Sequence, residues 1–552
     1  MMEGYFVRTL GMHRVYNSAF MNMLKNQENQ KYRLGIKNTL VFEPEILKRY
    51  VNFMNNPDEE TAIAQFGDGD KYFAVCTLLA TLPGLPMVGH GQIEGYHEKY
   101  GMEYKRAYYN EQPNLSLVGE HYRRIFPLFR RRYLFSGVDY FQFFDCYNQN
   151  GGIEESVYAF VNGVESEKTL ILVNNQYERC GGTINTSVPK LRKEKDGRTT
   201  VTTKLADSLG LSFGGRNYAL LDCFSDGLTY IVPSIQLYDE GFSFALNGYE
   251  AKVYWNIRQV EDTDGSYERL WRMYGRKGIR NISRAVALLR LEPLFKAMEM
   301  LRSEETLKHI SDLVAGRLSK QGERDLLLSI AECYTTIPEV YNTLEEPAKG
   351  QINVIPEEVE PKPMIKLVRT LASLFTGKKN KALPAWASAD NALALTIASS
   401  FVLHPFISSL NIRGAMEETD RLLIDSFFEY EFNELGYNEN ERRAVTHAAA
   451  ILTAAGKAWQ KDKSPLELFT SVINDEGVQN LTQCNEYQGE IWYNKEQMQR
   501  AILLSALSFA LVPKAKDFDV DDYIKTLMEK EQQSGYKLRL LLKAEEEEKT
   551  EE

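Results

Sequence analysis

The stretch RYVNFMNNPDEETAIAQF, residues 49–66, opens as an apolar run and turns polar at Asn55-Asn56-Pro57-Asp58-Glu59-Glu60. Pro57 has no backbone N–H and ends a strand, while Asp58 is placed to accept the free N–H groups of a helix starting at Glu59. The same position also suits chemistry. In parallel α/β barrels the residues just past the carboxyl end of a strand line the active site, and an acid there is poised to act. Spacing alone leaves helix cap and catalytic acid both open.

The surrounding residues supply a βα texture. HRVYNSAFM (13–21) reads as a strand, NQKYRLGIKNTL (29–40) and PEILKR (44–49) as helical, YVNF (50–53) as a strand, DKYFAVCTLLATL (70–82) as a buried helix and LPMVGHG (85–91) as another strand. NLSLVGEHYRRIFPLFRRRYLF (114–135) follows as a helix, with Arg130, Arg131 and Arg132 at an end where the macrodipole and solvation favour cations. Residues 1–136 therefore predict alternating βα architecture.

From 137 to 262 the pattern changes to short alternating strands bounded by Gly, Asn and Asp. They are GIEESVYAFVNG, KTLILVNNQ, GGTINTSVP, TTVTTKL, GLTYIVPSIQLYDEG and GYEAKVYWNIRQV, which together predict an antiparallel β-sandwich. Beyond 262 apolar positions recur at helical spacing, as in Ile282, Val286 and Leu289, or Val445, Ala448, Leu452, Ala455 and Trp459. The expected order is a helical region at 263–343, a Pro/Glu-rich linker at 344–363, a helical domain at 364–542 and an acidic tail at 543–552.

Composition fits several folded units. The chain has 552 residues, 43% of them hydrophobic, enough for two to four domains. A net charge of −11 offers nothing to nucleic acid. The six cysteines (Cys76, Cys146, Cys180, Cys223, Cys333, Cys484) have no C-x-x-C spacing, which points to buried thiols in a reducing compartment. No stretch is apolar enough to span a bilayer, and MMEGYFVRTLGMHRVYNSAF lacks the plan of a signal peptide. The expectation is a soluble cytoplasmic protein without membrane partners.

A second informative stretch, TLPGLPMVGHGQIEGYHEKYGMEYKRAYYNEQPN, spans residues 81–114. Gly89, Gly91 and Gly95 let the backbone approach a strand or a ligand closely. His90, Glu94 and His97 lack the H-E-x-x-H spacing of a helical metal site, and GHGQIEG lacks the spacing of a dinucleotide loop, so neither metal nor cofactor is expected. His13 and Arg14 either line a polar pocket or are satisfied by backbone. Tyr96, Tyr100, Tyr104, Tyr108 and Tyr109 crowd one loop, where rings stack on sugars or pack on a rim.

Taken in order, the two stretches resemble the alpha-amylase family of glycoside hydrolases and transglycosylases. Its fourth conserved region, at the end of the seventh barrel strand, has the form F-x-x-N-H-D, and Phe53-Met54-Asn55-Asn56-Pro57-Asp58 matches it with proline in place of histidine. Leu82-Pro83-Gly84-Leu85-Pro86 and then Gly91-Gln92-Ile93-Glu94 resemble the turn and G-q-E segment around the family's eighth strand. The resemblance covers residues 1 to about 262 and leaves the helical half outside.

It implies the last three strands of a (β/α)8 barrel, a β-sandwich, and a retaining activity on α-glucosidic bonds of glucans. Asp58 takes the place of the third carboxylate, which orients substrate hydroxyls and stabilises the transition state. Asn56 stands beside it as a contact, with His13, Arg14, Glu94 and Tyr96 as further substrate-binding candidates. A retaining enzyme also needs a nucleophile and an acid/base about 5 Å apart. In the family these come from strands four and five, which this chain is expected to lack; no strand precedes Glu3. The chain alone is therefore expected to be inactive, with another segment or chain supplying strands one to five. The proline version of the motif is reminiscent of the maltosyl-transferring branch. A non-catalytic interaction protein carrying a vestigial barrel is the alternative from another class.

Overall fold

The computed structural model describes residues 5–7, 9–99, 101, 105–194, 197–297, 303–349, 362–377, 380–389, 463–487, 489–511 and 518–543, with single positions at 394, 451, 458 and 460. It divides into two compact units, 1–286 and 287–552.

The first unit opens with a three-stranded parallel sheet of β1 (Val15–Tyr16), β2 (Tyr50–Phe53) and β3 (Leu85–Met87) in the order β1-β2-β3. Helices α1 (Ser18–Lys25) and α2 (Asn29–Phe42) join β1 to β2, and α3 (Ala62–Phe66) and α4 (Asp70–Thr81) join β2 to β3. Among the described residues β1 and β3 each pair on one side only, and no barrel closes.

Three local expectations are corrected. The strand read over 13–21 is two residues long, because the Asn17 side chain accepts the Phe20 N–H and starts a helix at Ser18. No helix begins at Glu59; α3 starts at Ala62, with the Thr61 hydroxyl accepting the Ala64 N–H at 3.3 Å. The long helix over 114–135 is α5 (Leu115–Arg124) followed by two short turns, since Pro127 supplies no N–H to continue the ladder.

Six antiparallel strands follow in the order β11-β10-β13-β6-β5-β4. These are β4 (Gln142–Phe144), β5 (Val157–Val164), β6 (Glu167–Asn174), β10 (Asn217–Cys223), β11 (Leu228–Pro233) and β13 (Ala251–Glu261). β7 (Cys180–Ile184) pairs with β12 (Phe242–Leu246), and β8 (Lys190–Glu194) with β9 (Gly197–Val201). Side chains alternate along β5 and β6 between two cores. Tyr158, Phe160, Ile171 and Val173 join Phe20, Phe53, Val75 and Leu79 of the βα layer, whereas Val157, Ala159, Leu170 and Leu172 join Ile184, Phe242 and Leu246. Burial on both faces explains why these strands are almost continuously apolar. The segment read as one strand over 227–241 is corrected: it passes from β11 into a helix, Ser234–Asp239, which turns Leu237 inward.

Arg33 ties the two layers together. Fully buried on α2, it ion-pairs with Asp145 and, through Nε at 3.0 Å, with Glu155, and it donates to the Val157 carbonyl. At the far end of this unit, helix α6 (Ser266–Tyr274) packs on β11. Thr229 and Ile279 exchange backbone hydrogen bonds of 2.8 Å just beyond it, which carries the unit past the end of β13 at Glu261.

The second unit is mainly helical, with α7 (Glu304–Val314), α8 (Lys320–Thr343), α9 (Lys362–Phe375), α10 (Pro465–Ile473), α11 (Lys495–Leu511) and α12 (Val520–Gln533). Leu313, Leu326, Ile330, Leu371, Phe469, Leu504 and Tyr523 share its core. Ile282, Val286 and Leu289 lie in a helix over Ile282–Ala297. The positions Val445, Ala448, Leu452, Ala455 and Trp459, most of the Pro/Glu-rich segment and nearly all of the acidic tail lie outside the described residues. No described helix is long and apolar enough to cross a membrane. All six cysteines are free thiols, and all but Cys484 are buried.

Candidate functional site

β2 delivers the chain to the carboxyl end of the parallel sheet, where Met54, Asn55 and Asn56 are buried and Pro57 and Asp58 emerge into solvent. Asn56 performs the capping that was one of the two readings of Asp58. Its Oδ1 accepts the N–H of Asp58 at 2.9 Å and of Glu59 at 3.0 Å. Gln65 closes the same turn from within α3, donating through Nε2 to the carbonyls of Met54 and Glu60, both at 2.9 Å. No described residue hydrogen-bonds the Asp58 carboxylate, which is left facing water.

The segment leaving β3 packs beside this turn. Gly89 is pressed against Asn55, whose Oδ1 would lie 2.3 Å from a Cβ at that position. Gly89 and Gln92 fold onto each other, the Gly89 N–H donating to Gln92 Oε1 at 3.1 Å and the Gln92 N–H to the Gly89 carbonyl at 3.2 Å. Gly91, at φ +71°, lies against Tyr96, which no residue with a Cβ would permit without a shift. The Tyr96 ring tilts on His90 at 6.1 Å between centroids. Lys99 links the two segments, its Nζ donating to the Asp58 carbonyl at 3.0 Å.

Beneath the loop, the Tyr72 hydroxyl of α4 donates to the Gln92 carbonyl at 2.6 Å and meets His121 Nε2 of α5 at 2.9 Å. Burial pushes the His121 value down to about 4, with the half-buried Glu94 pulling weakly the other way. Burial also drives the Tyr72 hydroxyl far above its ordinary range, so both groups stay neutral at ordinary pH.

Asn56, Asp58, Glu94 and Tyr96 thus lie in the two segments that leave the carboxyl ends of β2 and β3. His13 and Arg14 do not. They precede β1, where Arg14 donates to the Lys48 carbonyl at 2.9 Å and Arg49 to the His13 carbonyl at 3.5 Å. Because β1 and β2 are parallel with Val15 opposite Tyr50, this is the amino end of the sheet, opposite to Asp58.

Two further expectations change. Arg132 is not a solvated helix-end cation; it reaches inward and donates to the carbonyls of Ala80 at 2.8 Å, Leu82 at 2.7 Å and Gly84, clamping the turn before β3. Arg131 stacks over Trp255 at 4.3 Å. Of the tyrosine group, Tyr108 and Tyr109 are exposed, with their backbone N–H groups held by the Glu98 carboxylate at 2.7 and 2.9 Å. Tyr100 and Tyr104 lie outside the described residues. Lys99, Tyr72 and His121 were not legible as part of the site; helical spacing reads the last two as core.

Two clefts of the first unit lie elsewhere. One of about 840 Å³ runs over β7 and β12 with Tyr147, Arg179 and Trp271, and one of about 890 Å³ opens between Tyr5, Ile36 and Tyr50. Neither is lined by Asp58 or Glu94.

No known protein family and no curated protein matches this sequence. Among solved structures, the chain is similar in part to the alpha-amylase of H. orenii, at 15% identity and a TM-score of 0.31 over 46% of this chain and 51% of that one. It is also similar in part to the acarbose-complexed alpha-amylase of Geobacillus thermoleovorans, at 15% identity and a TM-score of 0.26 over 38% of this chain and 39% of that one. The acarbose-soaked debranching enzyme of Nostoc punctiforme gives 16% identity and a TM-score of 0.25 over 41% of this chain and 38% of that one. The match thus spans about half or less of each of these enzymes.

Proposed function

We propose that the first unit carries part of a glucan-active site of the alpha-amylase type, with Asp58 as the carboxylate that holds substrate hydroxyls and stabilises the oxocarbenium-like transition state. The observation that carries this reading is the division of labour in the β2 exit. Asn56 takes the backbone N–H groups of the turn, which leaves the Asp58 carboxylate uncommitted beyond the carboxyl end of a parallel strand. Glu94 and Tyr96 stand in the neighbouring segment as polar and stacking contacts, and Asn56 positions Asp58 rather than touching sugar through the oxygen it has already committed. His13 and Arg14, at the other end of the sheet, have no role in this reading.

A retaining mechanism needs two more carboxyl groups about 5 Å apart across the scissile bond. We assign them to polypeptide that completes the sheet, in this chain or another. Among the described residues β1 and β3 each have one edge with no strand partner, which supports such completion, because an exposed strand edge is a template for further pairing.

The test uses the chain as purified from its native cells with whatever polypeptides accompany it, assayed on maltoheptaose. Turnover that is lost in Asp58→Asn, with the thermal transition unchanged, supports the assignment, and the product pattern separates hydrolysis from maltosyl transfer. Turnover that survives in Asp58→Asn overturns it. No turnover in the accompanied wild-type chain favours the second reading, a non-catalytic interaction protein in which the barrel remnant is vestigial and the helical half binds a partner.

A further inference from the structure

Helices α7 and α8 of the second unit bring three ligand-type side chains to one place. Ser303 caps α7 by accepting the Thr306 N–H at 3.2 Å, which puts Glu305 in the first turn and His309 one turn later on the same face. Ser319 caps α8 by accepting the Gly322 N–H at 2.9 Å, and Asp325 follows within two turns. One ligand atom from each of Glu305, His309 and Asp325 lies within 4.8 Å of the other two. Nitrogen and oxygen ligands held about 2.0–2.2 Å from a tetrahedral zinc ion sit about 3.3–3.6 Å from each other, so closing this group takes side-chain movements of about 1 Å.

Two features outside the ligands shape the group. Gln321 Nε2 donates to Asp325 Oδ1 at 2.8 Å, which fixes the carboxylate and leaves its second oxygen for an ion, as outer partners of metal ligands do. Gly322 gives the imidazole its place, since a Cβ there would lie 3.2 Å from His309 Cδ2. Below the cluster, Ile310, Leu313, Leu326 and Ile330 hold the two helices in one core.

We propose that Glu305, His309 and Asp325 form a site for a divalent first-row transition cation of the zinc type, bridging α7 and α8. One imidazole and two carboxylates suit such an ion better than calcium or magnesium, which take oxygen ligands. Three protein ligands leave a fourth position for water. An ion held there ties the two helices together and stabilises the folded chain by mass action. This site is independent of the glucan reading of the first unit.

The test is titration of the chelator-treated full chain with Zn²⁺, followed by calorimetry, and with Co²⁺, followed by its visible d–d absorption. The expected result is one equivalent of Zn²⁺ with a raised Tm, a tetrahedral cobalt spectrum and no response to Mg²⁺ at the same concentration. His309→Ala should abolish the cobalt spectrum, and Gln321→Ala should weaken zinc binding by roughly 10-fold or more. The chain also holds six other histidines and six cysteines, so the variants decide where the ion sits. Zinc binding that is absent in the wild type, or unchanged in both His309→Ala and the near-isosteric Glu305→Gln/Asp325→Asn double variant, overturns the proposal.

Discussion

The Oδ1 of Asn56 accepts the backbone N–H of Asp58 at 2.9 Å, so the residue that shapes the turn and the residue that offers a free carboxylate are two positions apart. The same oxygen also takes the Glu59 N–H, which the Asn56 backbone carbonyl shares at 3.2 Å, so Asn56→Ala leaves the Asp58 N–H without its acceptor and weakens the hold on Glu59. The expected loss is about 1–2 kcal/mol, the range of a lost cap, while Asn56→Asp keeps an acceptor and should recover most of it. Urea denaturation of the three proteins checks this. Equal stability of Asn56→Ala and wild type would show that Gln65 and the Glu59-to-Asn56 backbone bond hold the turn without the Asn56 side chain.

Gly89 and Asn55 form a coupled pair. A methyl at position 89 would meet Asn55 Oδ1 at 2.3 Å, and Asn55 is buried, so its side chain has to shift within the core. Gly89→Ala should therefore cost about 1–3 kcal/mol, as overpacking does. Asn55→Ala removes the obstacle, so adding it to Gly89→Ala should cost far less than the sum of the two single changes. A double-mutant cycle reads the coupling directly, and additive effects would place the strain elsewhere.

How much of this could be read beforehand depended on where the deciding contacts lie. YVNF was legible as a strand because its own apolar residues and the polar break after Met54 define it, and β5 and β6 were legible because burial on both faces makes them apolar throughout. The cap, one of two readings left open, was considered at Asp58 rather than Asn56, since both side chains can accept a backbone N–H and only the path of the turn chooses between them. His13 and Arg14 were candidates for a polar pocket near a strand; which end of the sheet they occupy is fixed only by the parallel pairing of β1 with β2, which puts them at the amino end. Arg132 was misread for a different reason: its partners Ala80, Leu82 and Gly84 lie about fifty positions earlier in the chain, beyond the reach of any local pattern.

Arg132 tests whether that distant clamp holds β3. Its guanidinium fork serves three carbonyls at once, and Arg132→Ala would leave them without it inside the turn. A loss of about 3 kcal/mol is expected, with Arg132→Lys intermediate because an ammonium lacks the planar fork. The thermal transition of the first unit reports it. A change within about 0.5 kcal/mol for Arg132→Ala, the size of an ordinary surface effect, would show that the turn is set by Pro83 and Gly84 without the clamp.

His121 gives the chain an acid-side weakness. The Tyr72 hydroxyl donates to the Gln92 carbonyl and so accepts from His121 Nε2, which assigns the Nε2–H tautomer and leaves Nδ1 buried with no partner. A second proton would put charge on that atom without an acceptor, and burial accordingly holds the folded value at about 4 against an ordinary 6.5. Between those two values the unfolded chain binds the proton and the folded chain does not, so stability falls as pH drops from 6.5 towards 4. The loss from this one group is at most about 3 kcal/mol. Carboxylates titrate in the same range, so the comparison is with His121→Gln, which offers a neutral amide at every pH. Urea midpoints at pH 7.5 and 4.5 should fall further apart in wild type than in the variant, and identical differences would mean that His121 is protonated in the folded chain at little cost.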